Sequence, residues 1–155
     1  MSTIRDQVSE FHRAFGQSIG DKPKVPDDAT VKLRAKLVLE EAFEFLEALA
    51  GGPYHDVIAD MKGKAMNVVA AMDVDVDLVA AADALADLDY VAEGSRLAFG
   101  IDGAPIAAEV HRSNMGKLGP DGKPIIREDG KRLKPPGWTP PDISACLRAQ
   151  GWEGS

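Results

Sequence analysis

The chain is short of the features that mark secreted, membrane-bound or nucleic-acid-binding proteins. Its 155 residues include one cysteine, Cys146, so no internal disulfide can form and a reducing, cytoplasmic setting is expected. No apolar run approaches the roughly 20 residues that a membrane-spanning helix requires. The opening Met1-Ser2-Thr3-Ile4-Arg5-Asp6 lacks the basic-then-apolar order of a secretory signal. Basic residues are outnumbered, with 18 Lys and Arg against 25 Asp and Glu, and the net charge of −7 argues against a general nucleic-acid-binding surface. Internal repeats and low-complexity tracts are also lacking. An acidic chain of this kind needs a metal and local basic groups if it is to handle anionic phosphates.

What is present is a helical pattern with enough apolar content, 45%, for one domain with a core. Ile4, Val8, Phe11 and Phe15 recur at steps of four, three and four, predicting a helix over 3–15 that Gly16 closes. Pro23 and Pro26 make 17–29 an extended connector. Thr30 is expected to cap a second helix that runs to about Ala50, where Gly51-Gly52-Pro53 stops it. A third helix is expected from Tyr54 to Met72, with Val57, Met61, Ala65 and Val68 on its core face. A fourth follows an Asp75 or Asp77 cap and ends near Leu97, and Pro105 fits the first turn of a fifth ending near Met115.

After Gly116 the character changes. Asp121-Gly122 and Asp129-Gly130 flank Lys123-Pro124-Ile125-Ile126-Arg127, predicting a small hairpin or an ordered irregular arm. Pro135, Pro136, Pro140 and Pro141 stiffen the next stretch, Trp138 is expected to anchor it, and a last short helix spans 142–149. Residues 1–118 therefore read as a helical domain, and 119–155 as a basic, proline-rich arm of the same domain.

The chemistry sits in acidic residues at core-like spacing. Leu33, Leu37, Glu41, Glu44 and Ala48 follow one helical stripe, and Asp83 and Asp87 converge one turn apart, with Tyr90 continuing their line. On this reading the carboxylates lie on inward faces, where like charges are costly unless something positive sits between them. Oxygen-only ligands favour magnesium, with manganese the alternative. Glu47 and Asp60 have no such partners and read as solvated. Asp73, Asp75 and Asp77 imitate the start of a calcium loop, but its sixth and twelfth positions are Leu78 and Ala84, so that reading fails.

Glu40-Glu41-x-x-Glu44, followed by a second acidic helix ending Ala86-Asp87-Leu88-Asp89-Tyr90-Val91, resembles the all-α NTP pyrophosphohydrolases. That superfamily includes MazG-like proteins, dimeric dUTPases and phosphoribosyl-ATP pyrophosphohydrolase. Glu10-Phe11-His12-Arg13-Ala14-Phe15-Gly16, Glu109-Val110-His111-Arg112-Ser113-Asn114-Met115, Asp129-Gly130-Lys131-Arg132-Leu133-Lys134-Pro135 and Gly137-Trp138 are similar to a MazG-like subgroup, so the resemblance spans 8–143. It implies an all-α, four-helix-bundle-type fold completed by dimerisation, hence a homodimer or larger assembly. It also implies Glu41, Glu44 and Asp87 as metal ligands, with Glu40 as a ligand or as the base that orients water. The sequence departs from the pattern at Ala84, where the family has glutamate; Asp83 is the expected substitute.

The implied reaction cleaves a nucleoside triphosphate between its α and β phosphates, releasing monophosphate and pyrophosphate, with dUTP the favoured substrate and removal of unwanted nucleotides the role. Lys117, Asn114 and Arg112 are the expected phosphate contacts, set against a plain helix C-terminus that favours cations. Lys134 folds over an active site or is a solvated tail residue. His12 and Phe15 are expected to border the base, with a half-buried histidine hydrogen-bonded within the fold the alternative for His12, and Tyr90 reaches substrate or lines the wall. Phosphoribosyl-ATP is the alternative substrate. A non-catalytic helical regulatory or interaction module that binds a structural ion is the alternative of another class.

Overall fold

The computed structural model describes residues 2–127 and 132–154, the side chain of Arg132 excepted. The described residues form six α-helices: α1 (Ile4–Ala14), α2 (Asp28–Leu49), α3 (His55–Ala71), α4 (Leu78–Phe99), α5 (Gly103–Met115) and α6 (Ile143–Ala149). Between the last two lie β1 (Ile125–Ile126) and β2 (Arg132–Leu133), an antiparallel pair with Ile125 opposite Leu133 and Ile126 opposite Arg132. The fold is all-α with a hairpin arm. The Asp129-Gly130 turn and Lys131 lie outside the described residues. No helix among those described is long and apolar enough to cross a membrane.

Local chemistry sets most of the helix ends. Thr3 and Asp6 form a reciprocal capping box at the start of α1. At its other end Gly16 takes φ 64°, and the Gly16 and Gln17 N–H groups donate to Arg13 and His12 carbonyls, a Schellman closure that a side chain at Gly16 would strain. Asp77 accepts from the Val79 and Ala80 N–H groups and so starts α4 as expected. One cap differs. Asp27, not Thr30, opens α2: its carboxylate accepts the Thr30 N–H at 2.8 Å, which makes Thr30 the third helical residue. The stronger acceptor, directly after the connector's Pro26, takes the cap.

Two compact units result, Pro23–Asp83 and Met1–Lys22 with Ala84–Ser155. In the first, α2 and α3 form a hairpin joined through a tight turn at Gly52–Tyr54. Lys32 Nζ reaches the Ala70 carbonyl and Lys62 Nζ reaches Glu44, so the two helices run in opposite directions. The face of α2 that becomes covered carries Lys32, Lys36, Leu39, Phe43 and Glu47. On α3 the covered positions are Ile58, Lys62, Ala65 and Val69, one residue round from the expected Val57, Met61 and Val68, which stay exposed. Apolar residues ring α3, so their period alone does not single out a face.

In the second unit α1 packs on α5, and α5 on α6. The α5–α6 contact is tied by Gln150, whose side-chain amide exchanges hydrogen bonds of 2.8 and 3.1 Å with the Asp102 backbone. Asp102 itself caps α5 through Ala104 N–H. Among the described residues Phe15 and Val69 are the buried apolar side chains. That is very little core for a chain of this length.

Candidate active site

The acidic residues are not inward in the single chain. Glu40, Glu41, Glu44, Asp83 and Asp87 are all exposed, and Leu33 and Leu37, which share the glutamate stripe, remain 47% and 40% exposed. The stripe was found correctly as a helical face, but α3 covers a different face of α2. Helical spacing still brings Glu40 and Glu41 within a turn of Glu44, and Asp83 within a turn of Asp87. Ala84 is exposed beside them on α4. One positive partner was missed from sequence: Lys62 of α3 lies 3.4 Å from Glu44. Its signal was a lysine in line with Ile58, Ala65 and Val69. Among the described residues no three His, Cys, Asp or Glu side chains gather as a metal centre. These side chains would offer a metal carboxylate oxygens alone, donors of the kind that suit magnesium.

The cationic residues are brought together at the end of α5. Lys117 Nζ donates to Asn114 Oδ1 at 2.8 Å, and both residues are half-buried. Lys134 Nζ stands 3.8 Å above the Trp138 ring, a cation–π contact. Burial holds the Lys117 ammonium below its ordinary pKa, and the nearby Lys134 charge pulls the same way. Among the described residues neither lysine has a carboxylate within ion-pair distance.

Arg112 does something else. Its Nε and Nη2 grip the two Glu109 oxygens at 2.8 and 2.7 Å, Nη1 donates to Thr139 Oγ at 3.1 Å, and Nη2 to the Pro140 carbonyl at 3.1 Å. Glu109 Oε1 also accepts the Asp142 N–H at 2.9 Å. Ser113, the most buried polar residue described, donates to the Thr139 carbonyl, and Trp138 Nε1 donates to the Ser113 carbonyl at 2.9 Å. The expected anchoring by Trp138 is therefore direct, and Arg112 is spent largely on the arm.

The Arg112 guanidinium first, then the Asp142 N–H, hold the Glu109 carboxyl down from an ordinary 4.5 to about 2. A depressed carboxylate contributes stability that is present above its ordinary pKa and is lost as pH falls toward about 2. Acid unfolding followed by tryptophan fluorescence is therefore expected to begin at higher pH without this grip than with it. In Glu109→Gln the arm should be looser at neutral pH, and the difference from wild type should vanish near pH 2. Equal differences at both pH values would refute the grip.

Phe15 is corrected as well: it is buried and stacked on Phe11 with ring centroids 4.2 Å apart, so it serves the core and offers no face to a substrate. His12 is half-buried with Nδ1 3.2 Å from the Ser18 carbonyl, the packing alternative. Tyr90 projects freely at 82% exposure.

A groove of about 310 Å³ runs along the α1–α5 seam to Asn114, lined also by Gln7, Phe11, Val110 and His111. Glu10 holds the His111 ring at 3.2 Å. Gln7 escaped sequence reasoning although it interrupts the stripe Ile4, Val8, Phe11. It is buried, and its Oε1 has no hydrogen-bond partner among the described residues. A buried unpaired carbonyl costs free energy, so Gln7→Leu is expected to stabilise the fold by roughly 1 kcal/mol, read from the urea midpoint. A destabilised variant would mean that the amide is satisfied in solution.

Residues 8–114, from within α1 to the last turn of α5, match the model of the family described as phosphoribosyl-ATP pyrophosphohydrolase. The chain belongs to that family. A solved structure of a proposed NTP pyrophosphohydrolase from Exiguobacterium sp. 255-15 is similar over 96% of this chain and 95% of that one, with 33% identity and a TM-score of 0.75. No curated protein sequence matches. The pyrophosphohydrolase family match ends at Asn114, so Lys117 and the arm fall outside it, while the Exiguobacterium likeness extends across them.

Proposed function

We propose that the protein is a magnesium-dependent nucleoside triphosphate pyrophosphohydrolase, with manganese as a substitute ion. The observation that carries this reading is the pairing of half-buried Lys117 with Asn114, close to a Trp138 ring that packs near Gly116 and carries Lys134 above it, in a chain whose family is described as a pyrophosphohydrolase. Two neighbouring ammonium groups without a nearby carboxylate among the described residues suit a polyphosphate. In this proposal Glu41, Glu44, Asp83 and Asp87 supply the metal ligands. A bound magnesium neutralises phosphate oxygens and acidifies water. Glu40 or Glu41 accepts the proton from the attacking water, Asn114 and Lys117 hold the outer phosphates, and the α1–α5 groove takes the nucleoside.

A second copy of the chain completes the fold. Apolar side chains left open on α2, α3 and α4 give such a partner a surface to cover. Among substrates dUTP comes first, on the resemblance of the motifs to MazG-like proteins; phosphoribosyl-ATP comes second, on the description of the matching family.

The test is a panel of dNTPs, NTPs and phosphoribosyl-ATP with magnesium or manganese, with products identified. Metal-dependent pyrophosphate release supports the proposal, and the best substrate sets the specificity. Orthophosphate in its place would refute the bond assignment. No turnover of any member by folded protein would sink the activity.

A further inference from the structure

We propose that Arg112 is a positioning residue: gripped by Glu109, it latches the C-terminal arm onto α5 so that Lys134 stands beside Lys117 and completes a two-lysine site for pyrophosphate or the outer phosphates of a triphosphate. The inference rests on the pyrophosphohydrolase reading for the identity of the anion. A guanidinium has five N–H groups. Four bonds, to the two Glu109 oxygens, Thr139 Oγ and the Pro140 carbonyl, use four of them, and the fork that would grip a phosphate is already filled. The same segment is pinned by the Ser113 hydroxyl on the Thr139 carbonyl, by Trp138 Nε1 on the Ser113 carbonyl, and by the Asp142 N–H on Glu109.

Lys134 follows from that docking. It lies four residues before Trp138, with its ammonium over the ring, and that ring packs against Gly116, the residue before Lys117. Like charges held together in this way repel, and an anion between them relieves the repulsion. Gly137 makes the approach possible: its φ of 84° bends the chain between Lys134 and Trp138 in a conformation that other residues rarely adopt.

Titration calorimetry of the full chain with inorganic pyrophosphate, with and without magnesium, tests the latch. Lys134→Met and Arg112→Gln should each weaken pyrophosphate about tenfold, the usual scale for one charge-assisted contact. Combined, they should weaken it no more than either alone, because both remove the same contact. Arg112→Lys keeps the charge but loses the planar fork, so it should behave like Arg112→Gln. Thr139→Val, which removes one bond from the arm side, is a milder variant should the others unfold, and faster amide exchange over 133–142 should accompany each loosened arm.

Losses that multiply in the double variant, or full affinity in Arg112→Lys, would make Arg112 a phosphate ligand and overturn the latch. Unchanged affinity in Arg112→Gln, or wild-type protein that does not bind pyrophosphate, would overturn it too. Wild-type protein that binds pyrophosphate with this mutational pattern but turns over no triphosphate would support the latch and sink the hydrolase reading alone.

Discussion

Glu41→Gln is expected to abolish metal-dependent pyrophosphate release while leaving the fold intact. The loss should be about 100- to 10,000-fold in kcat, the span of a positioned carboxylate in proton transfer. Stability should move by no more than about 0.5 kcal/mol, because the side chain is exposed and Gln is nearly as good a helix former as Glu. Thermal unfolding without metal, beside single-turnover assays with it, separates the two effects. Wild-type rates in Glu41→Gln would remove Glu41 from the chemistry. A collapsed fold would instead make its role structural.

Asp83 is open to the same kind of test. If it replaces the family glutamate missing at Ala84, Asp83→Asn should lower metal affinity, and Ala84→Glu should not lower it.

Sedimentation of the wild-type chain at micromolar concentration is expected to show a homodimer or a larger assembly, and Val91→Asp should weaken it strongly. Val79, Leu85, Val91 and Leu97 on α4 are all more than half exposed, an arrangement that an isolated monomer does not favour. Burying one such side chain contributes about 1.5–3 kcal/mol, and a two-fold interface uses it twice. Replacing it with aspartate should therefore raise the dimer Kd roughly 100- to 10,000-fold. Activity should fall with the dimer if a second copy completes the site. A wild-type monomer, or a Val91→Asp protein that associates normally, would refute this.

The helix ends and the hairpin were readable because they depend on neighbours in sequence. Gly16 closing α1, Asp77 opening α4 and the Asp121-Gly122 turn before Ile125-Ile126 each act within a few positions. Thr30 misled because two good caps, Asp27 and Thr30, stand three apart, and the choice between them depends on where the connector ends. Among the expected site residues Asn114 and Lys117 came together as the motif implied, since they lie one turn apart at a helix end. Arg112 did not join them, because its partners Thr139 and Pro140 are distant in sequence. Gln7 was visible as a break in an apolar stripe, but only tertiary packing showed that its carbonyl is buried without a partner among the described residues.

The carboxylates mark the division most clearly. Composition, periodicity and the Glu40-Glu41-x-x-Glu44 spacing were enough to specify an all-α protein with acids convergent on a helical face, because helical period and side-chain type are local properties. Which face of α2 meets α3 was decided by tertiary packing. Both sides of that helix carry apolar residues, and burial goes to the side whose neighbours fit, here the one bearing Leu39 and Phe43. The acidic stripe with Leu33 and Leu37 was thereby left open, and its energetic oddity passes from the core of one chain to the surface that a metal and a second copy are proposed to share.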